Sequence, residues 1–470
     1  MPHKRYFEAV DYLQRRLWHE LPIVPVERAL QRRVRHVLEH LGDPHLRFPV
    51  THVGGSAGKG STTAIIASIL RAAALRTGMY TSPHLQTFIE RYDVDGRLID
   101  PDRFADLILG LDPLVRQMHL EVLDGVGYGR PALVEIAFAT GMKHFADEGC
   151  DAAVVEVGLG GRTDCTNVFE DKPVTVITNI EFEHTERLGA TRASIAREKA
   201  ALIRGREIFI TGERHPDALA VLEARCAETG ATPWRLGREI RIRHHAPASG
   251  DPPGERFDLT CPLGRYRDLR VALTGEHQAR NAALAVAAAL AFSDRTGLRV
   301  TEADIRAGLE RVWISGRMEQ VQSEPIVLLD SAHNPIEARA LAATLRDRYL
   351  RRGARLHLVC GILADKDQVS MVRAFASVAD TVAVTQPALV ERIGDPGRML
   401  ELFRARLGAR NVTFIADPAE ALDAALARAR PRDLVVVTGS MFLVGALRNR
   451  WLPERTLLKR RSAALRGSRE

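Results

Sequence analysis

At 470 residues the chain is too long for one ordinary core, so two domains are expected. With 46% hydrophobic and 27% charged residues, and no apolar run near the roughly 18–20 residues that cross a bilayer, the composition is that of a soluble globular protein without a membrane span. The net charge of +7 is spread along the chain; its one dense run, LLKRRSAALRGSRE, reads as a solvated tail rather than a nucleic-acid arm, and the basic excess suits a small polyanionic substrate.

In chain order, residues 5–41 carry helical apolar spacing, with charges in place of the apolar core of a signal peptide, and stop at the turn Gly42–Pro44. FPVTHV is a short buried strand. It runs into the glycine loop of HVGGSAGKGSTT (52–63) and then a helix from about Ser61 to Leu75. A helical stretch, PALVEIAFATGMKHFADEG, precedes a second buried strand in DAAVVEVGLGG (151–161), with KPVTVITNI (172–180) and REIFIT (206–211) as further strands. Near-continuous apolar strands alternating with helices predict a parallel sheet covered on both faces. Region 236–272, broken by Pro and Gly, predicts a small antiparallel insert, and a helix over NAALAVAAALAFSDRTG follows. Strand–helix alternation restarts with IVLLD, LHLVCGI, TVAVTQP, VTFIADP and DLVVVTGS, so a domain boundary is placed near 312–318, giving units 1–312 and 313–470.

The glycine loop offers backbone N–H groups at the positive end of a helix dipole, which suits phosphate. Lys59 adds a point charge, and Ser61 or Thr62 a hydroxyl for Mg²⁺. The pattern G-x-x-x-x-G-K-[ST] is not met, because Val53 stands five before Gly58 and Gly60 follows Lys59; a ligand-free glycine turn remains the alternative. Only seven of the 66 basic residues are lysine (Lys4, Lys59, Lys143, Lys172, Lys199, Lys366, Lys459), so lysine is expected mainly where a guanidinium will not serve. Five cysteines without metal-ligand spacing suggest reduced thiols in a cytoplasm.

The motifs continue in order: TSPHLQTFIERYDVDG (81–96), EVGLGGRTDCTNV (156–168), EFEHTERLGATRASIAREKAALI (181–203), GEHQARNAALAVAA, ISGRMEQV, VLLDSAHNP, GILADKD and VTGSMFLVGALR. With GSAGKGST they resemble the folylpolyglutamate synthase/dihydrofolate synthase family of the Mur ligase superfamily, over most of the chain. The resemblance implies a parallel-sheet ATPase domain of P-loop type with a small antiparallel insert, then a smaller Rossmann-like α/β domain. It also implies an ATP-dependent amide ligase that phosphorylates a folate-type carboxylate and lets the amine of L-glutamate displace phosphate.

Residue by residue, the resemblance implies that Gly58, Lys59, Gly60, Ser61 and Thr62 hold ATP phosphates, and that Ser82, Glu156 and His184 are Mg²⁺ ligands, with two ions expected. Lys199 matches the lysine that the family carbamylates, and Lys59, Lys199, His184 and Glu156 form the catalytic set. Asn281, Arg317 and Asp330 match nucleotide contacts. Glu135, Thr163, Asp164, Cys165 and His333 match substrate contacts. Each has a plainer reading: Glu156 a buried acid at a strand end, Lys199 a helix-surface lysine, Asn281 a polar residue at a helix terminus. A cytoplasmic monomer acting on small molecules, with neither nucleic acid nor membrane as partner, is expected.

Four departures stand out. Glu183 precedes His184 where aspartate is usual, Ser56-Ala57 replaces Thr-Asn, and Ala201 replaces a glycine. Ala132-Leu133-Val134-Glu135 replaces a segment like TYFE, so an aromatic ring and a hydroxyl are gone from the region that contacts dihydropteroate. Leu133 and Val134 read equally well as core. The alternatives are a ligase of the superfamily with a different carboxylate acceptor, a P-loop kinase, and a non-catalytic nucleotide-binding module.

Overall fold

The computed structural model describes residues 3–16, 30–123, 127–250, 253–350, 353–386 and 395–464. Parts of the predicted N-terminal helix (17–29), the turn residues Asp251 and Pro252, Pro387 of TVAVTQP and the last six residues of the tail lie outside them.

The first sheet contains β1 (Val50–Gly54), β2 (Thr77–Tyr80), β3 (Tyr92–Val94), β4 (Arg97–Leu98), β5 (Ala152–Glu156), β6 (Val174–Ile177), β7 (Ile208–Thr211) and β8 (Thr232–Arg235). Their order is β4-β3-β2-β5-β1-β6-β7-β8, parallel except for the two antiparallel pairings of β3. β1, β5, β6 and β7 are buried at every position, as strands covered on both faces must be. β1 pairs with β5 on one side and β6 on the other, Val53 opposite Glu156 and Gly54 opposite Ile177. The chain leaves β1 first toward β2 and β5 and later toward β6. This reversal opens a crevice at the carboxyl ends of the strands, where α/β sheets bind ligands.

Helix Lys59–Ala72 covers one face, pressed between the sheet and helices Glu276–Thr296 and Glu302–Arg311. Alanines line the buried side of Glu276–Thr296 and permit that close approach, and Ser68 Oγ donates to Gly308 O at 2.7 Å. The insert is the antiparallel sheet β9 (Arg241–Ala248), β10 (Gly254–Cys261) and β11 (Gly264–Val271), whose Phe257, Leu259, Leu269 and Val271 join the same core.

A second sheet contains β12 (Glu319–Ser323), β13 (Ile326–Leu329), β14 (Leu356–Cys360), β15 (Thr381–Val384), β16 (Val412–Phe414) and β17 (Leu434–Thr438), in the order β12-β13-β17-β14-β15-β16. Only β12 runs antiparallel, and separate apolar clusters cover the two faces. The mixed α/β architecture is therefore the one expected. β2, β8 and β12 were not legible as strands: TGMY, TPWR and EQVQS lack an apolar run, and are set by pairing at or near sheet edges.

Two expectations need correction. The helix after the glycine loop begins at Lys59 rather than Ser61, because Gly58 closes its first turn. The basic tail is not free as far as it is described: Leu457 and Leu458 are buried, and Leu98 N donates to Arg461 O at 2.9 Å while Arg461 Nε donates to Leu98 O at 2.9 Å. Among the described residues, no helix is long and apolar enough to cross a membrane.

Candidate active site

The glycine loop leaves β1 and turns into helix Lys59–Ala72 through Gly58, whose φ of +80° belongs to the left-handed region. A Cβ there would also stand 2.6 Å from Asn281 Oδ1, so glycine is required twice over. Asn179 Oδ1, after β6, accepts from Ala57 N at 2.8 Å and Ser56 N at 3.2 Å, and Thr178 Oγ1 donates to Ala57 O at 2.7 Å. Ser56 Oγ accepts from Glu181 N at 3.0 Å. The Ser56-Ala57 departure is thus absorbed by neighbours that fix the loop from the side. Lys59 Nζ makes a long contact of 3.4 Å with Ser56 O, and the buried Thr62 hydroxyl has no hydrogen-bond partner.

Glu156 ends β5 directly under this loop: a Cβ at Gly60 would lie 3.6 Å from its Oε2. Ser82 N donates to Glu156 Oε2 at 3.2 Å. Burial pushes the Glu156 carboxyl up to about 6, against the pull of Lys59, the Ser82 N–H and Arg317. A buried acid close under the glycine loop fits a hard cation held by oxygen. His184 is half-exposed, in the left-handed region at φ 45°, 3.7 Å from Glu186 Oε1. Burial and Lys366 both disfavour its protonated form. Ser82 and Glu156 are therefore brought together, while the recorded contacts of His184 lie elsewhere. Among the described residues, no group of three or more His, Cys, Asp or Glu side chains could hold a metal ion.

Lys199 is 1% exposed, which excludes the helix-surface reading. Its Nζ donates to Glu183 Oε1 at 2.7 Å and to Gly55 O at 3.0 Å, so it braces the glycine loop from below. The extra methylene of Glu183 thus ends on Lys199. Burial lowers the Lys199 pKa, opposed by Glu183 and assisted by Lys59. Of the other lysines, Lys4 and Lys143 form helical pairs with Glu8 and Asp147, and Lys172 is buried against Glu207, so scarcity of lysine marked the site only in part.

A cleft of about 310 Å³ opens between the two sheets. Gly58, Ser61 and Asn281 line it on one side and Arg317 and Asp330 on the other, so five of the eight residues matched to the nucleotide meet there, while Lys59, Gly60 and Thr62 are not among its lining residues. Asn281 is buried in the second turn of Glu276–Thr296, its Nδ2 donating to Gln278 Oε1 at 3.0 Å, not at a helix terminus. Asp330 follows β13 and accepts from Met318 N at 2.9 Å and Ala332 N at 3.0 Å, which pins the turn that carries Arg317. Burial raises the Asp330 pKa, and Arg317 restrains it.

Glu337 was not anticipated. It lines the cleft and lies 3.6 Å from Arg317 Nη2 and 3.1 Å from His333 Nδ1, between the two side chains. Its signal was the four-residue step from His333 at the start of helix Pro335–Arg348. Asn334 caps that helix, accepting from Ile336 N and Glu337 N.

The matched acceptor contacts lie beyond the glycine loop. Glu135 is fully buried; Arg33 Nε donates to its two oxygens at 3.3 and 3.2 Å, and Ala132 N to Oε2 at 2.6 Å. Burial pushes its carboxyl up to about 7 against the pull of Arg33. Asp164 accepts from Leu159 N at 2.8 Å, Thr166 N at 2.9 Å and Thr166 Oγ1 at 2.5 Å. Cys165 is buried against Val134 O, its thiol pushed well up by burial, while Thr163 is partly exposed. Leu133 is core, but Val134 is 44% exposed.

Comparison with known proteins agrees with this arrangement. Residues 130–289 match the Mur ligase middle domain and 316–441 the Mur ligase, glutamate ligase domain. The dihydrofolate synthase/folylpolyglutamate synthase of Mycobacterium tuberculosis is 34% identical over 461 residues, covering 93% of this chain and 92% of that one. The Mycobacterium tuberculosis folylpolyglutamate synthase solved with ADP superposes with a TM-score of 0.85 at 31% identity, covering 95% and 98%. A folylpolyglutamate synthase solved with AMPPCP and folate gives 0.80 at 30% identity, covering 95% and 99%. The chain belongs to the folylpolyglutamate synthase/dihydrofolate synthase family of Mur-type ligases.

Proposed function

We propose that the chain is an ATP-dependent ligase that adds L-glutamate to a folate-type carboxylate, dihydropteroate, tetrahydrofolate or both, through an acyl phosphate. The observation that carries this reading is the cleft itself. It sets the glycine loop and Asn281 on one wall against Arg317 and Asp330 on the other. Phosphoryl transfer needs positioning and charge neutralisation. Lys59 and the N–H groups of Gly60 and Ser61 hold the phosphates. Arg317 clamps them from the second wall, Asp330 takes ribose hydroxyls and Asn281 the adenine edge. Mg²⁺, with Glu156 and Ser82 as the residues that would hold it and His184 as a more distant candidate, would neutralise charge on the transferring phosphoryl group. His333, held by Glu337, would meet the incoming glutamate.

Carbamylation of Lys199 is a separate part of the proposal. Burial lowers its pKa, the direction that attack on CO₂ requires, and the modified group would displace the Glu183 contact. Intact mass under CO₂ tests it. We further propose that the units 1–312 and 313–470 act as two domains of a cytoplasmic monomer.

The deciding measurement is phosphate release from ATP with glutamate present, comparing dihydropteroate, tetrahydrofolate and no acceptor, with mass analysis of products. A product heavier by one glutamyl unit is expected. ATP binding without stimulation by either acceptor would leave the scaffold standing and remove the folate assignment.

A further inference from the structure

The insert β9–β11 has no part in the chemistry above, yet one of its side chains ties both walls of the cleft. Glu255, on β10, is fully buried. Its Oε1 accepts from Gly275 N at 2.7 Å and from Arg348 Nη2 at 2.5 Å. Its Oε2 accepts from Arg348 Nη2 at 2.7 Å and meets His245 Nε2 at 2.8 Å. Gly275 opens the helix that carries His277 and Asn281 into the cleft. Arg348 ends the helix whose first turns carry Glu337 and Ala340 into it from the other side.

These two helices meet without spare room. A Cβ at Gly275 would stand 2.6 Å from His277 Cε1 and 2.8 Å from Thr344 Oγ1 of the opposite helix. A buried carboxylate costs several kcal/mol unless it is paired, so Glu255 favours the arrangement in which Arg348 stays in place. Arg448 also crosses between the units, through Gln86, but it is fully buried, whereas the Arg348 side chain keeps 18% of its surface exposed. The Glu255–Arg348 contact is the easier of the two to open.

We propose that Glu255 is a positioning residue that latches the nucleotide cleft shut, aligning helix Glu276–Thr296 with helix Pro335–Arg348 so that the acyl phosphate meets the amine and not water. This rests on the ligase reading above. Glu255→Gln keeps an acceptor for Gly275 N but removes the charge, and Arg348→Met removes the partner from the accessible side; the double variant completes the cycle.

The measurement is phosphate released per glutamyl product, together with KM for ATP. In either single variant KM for ATP rises about 5–10-fold, the ratio climbs above that of the unsubstituted enzyme, and the double variant is no worse than the worse single. Phosphate and product falling in step, with KM unchanged, would mean a merely structural role and overturn the latch. If the unsubstituted enzyme shows no acceptor-dependent phosphate release, the ligase reading falls and the latch with it.

Discussion

At the glycine loop Lys59 Nζ has a single long contact with a loop carbonyl, whereas at the acceptor end both oxygens of Glu135 and of Asp164 are engaged by the protein. At the nucleotide end Lys59 is left open for a ligand, although Asp330 is engaged through both oxygens by Met318 N and Ala332 N. The acceptor end uses its acids to shape the wall, and leaves Thr163 partly exposed and Val134 exposed. Lys59 thus has the geometry of a contact, and Glu135 and Asp164 have that of braces.

The sharpest way to break this contrast is Lys59→Met. An open ammonium in a phosphate site acts on the reaction and hardly on the fold. Losing it is expected to lower kcat/KM by at least about 100-fold, the order found when a positioned charge-stabilising donor is removed. Thermal unfolding should stay within about 1 °C of the parent, since the lost contact is worth only tenths of a kcal/mol. A large drop in melting temperature would show that Lys59 is a brace after all.

Arg33→Met probes the opposite case. It leaves Glu135 buried without its cation, which costs about 3–5 kcal/mol. The sign with pH follows from linkage. Glu135 already holds its proton up to about 7, and without Arg33 it holds it higher still, so the folded state binds more protons than the unfolded one above pH 4.5. Stability of the variant therefore falls as pH rises through that window, and the deficit against the parent is larger at pH 8 than at pH 6. Denaturant unfolding at the two pH values checks this. A deficit independent of pH would mean that Glu135 is not what Arg33 holds.

Why these roles were unequally legible in the sequence follows from distance along the chain. The glycine loop, the Glu156 strand end and the Asp330 turn are local: each is a strand running into a turn, and periodicity with glycine placement reveals it. The apolar runs of β1, β5, β6 and β17 gave the two sheets for the same reason. Arg33 lies 102 residues from Glu135 and Arg348 lies 93 from Glu255, so no local pattern could announce either pair. Asn179 looked like the polar end of a strand, and only the folded loop shows that it supports Ala57 N. Family likeness carried Glu135 and Asp164 over as acceptor contacts, but burial is not a property of the motif.

The smallest expected effect sharpens the contrast most, because it acts next to a brace. Ala132-Leu133-Val134-Glu135 lacks the aromatic ring expected there, and the two apolar positions have different fates: Leu133 is packed into the core, while Val134 is 44% exposed. Only Val134 can meet a ligand, so the ring should be restored at that position alone. Aromatic stacking is worth about 0.5–1.5 kcal/mol beyond area burial, so Val134→Phe is expected to lower KM for dihydropteroate by about 2–10-fold. KM for ATP should not move, since position 134 does not line the cleft between the sheets. Leu133→Phe, in contrast, overpacks the core and should cost about 1–3 kcal/mol of stability with no gain in acceptor binding. If Val134→Phe changes KM for ATP as much as KM for the acceptor, position 134 acts on the whole site, and the division between a contact-bearing cleft and a braced acceptor wall fails.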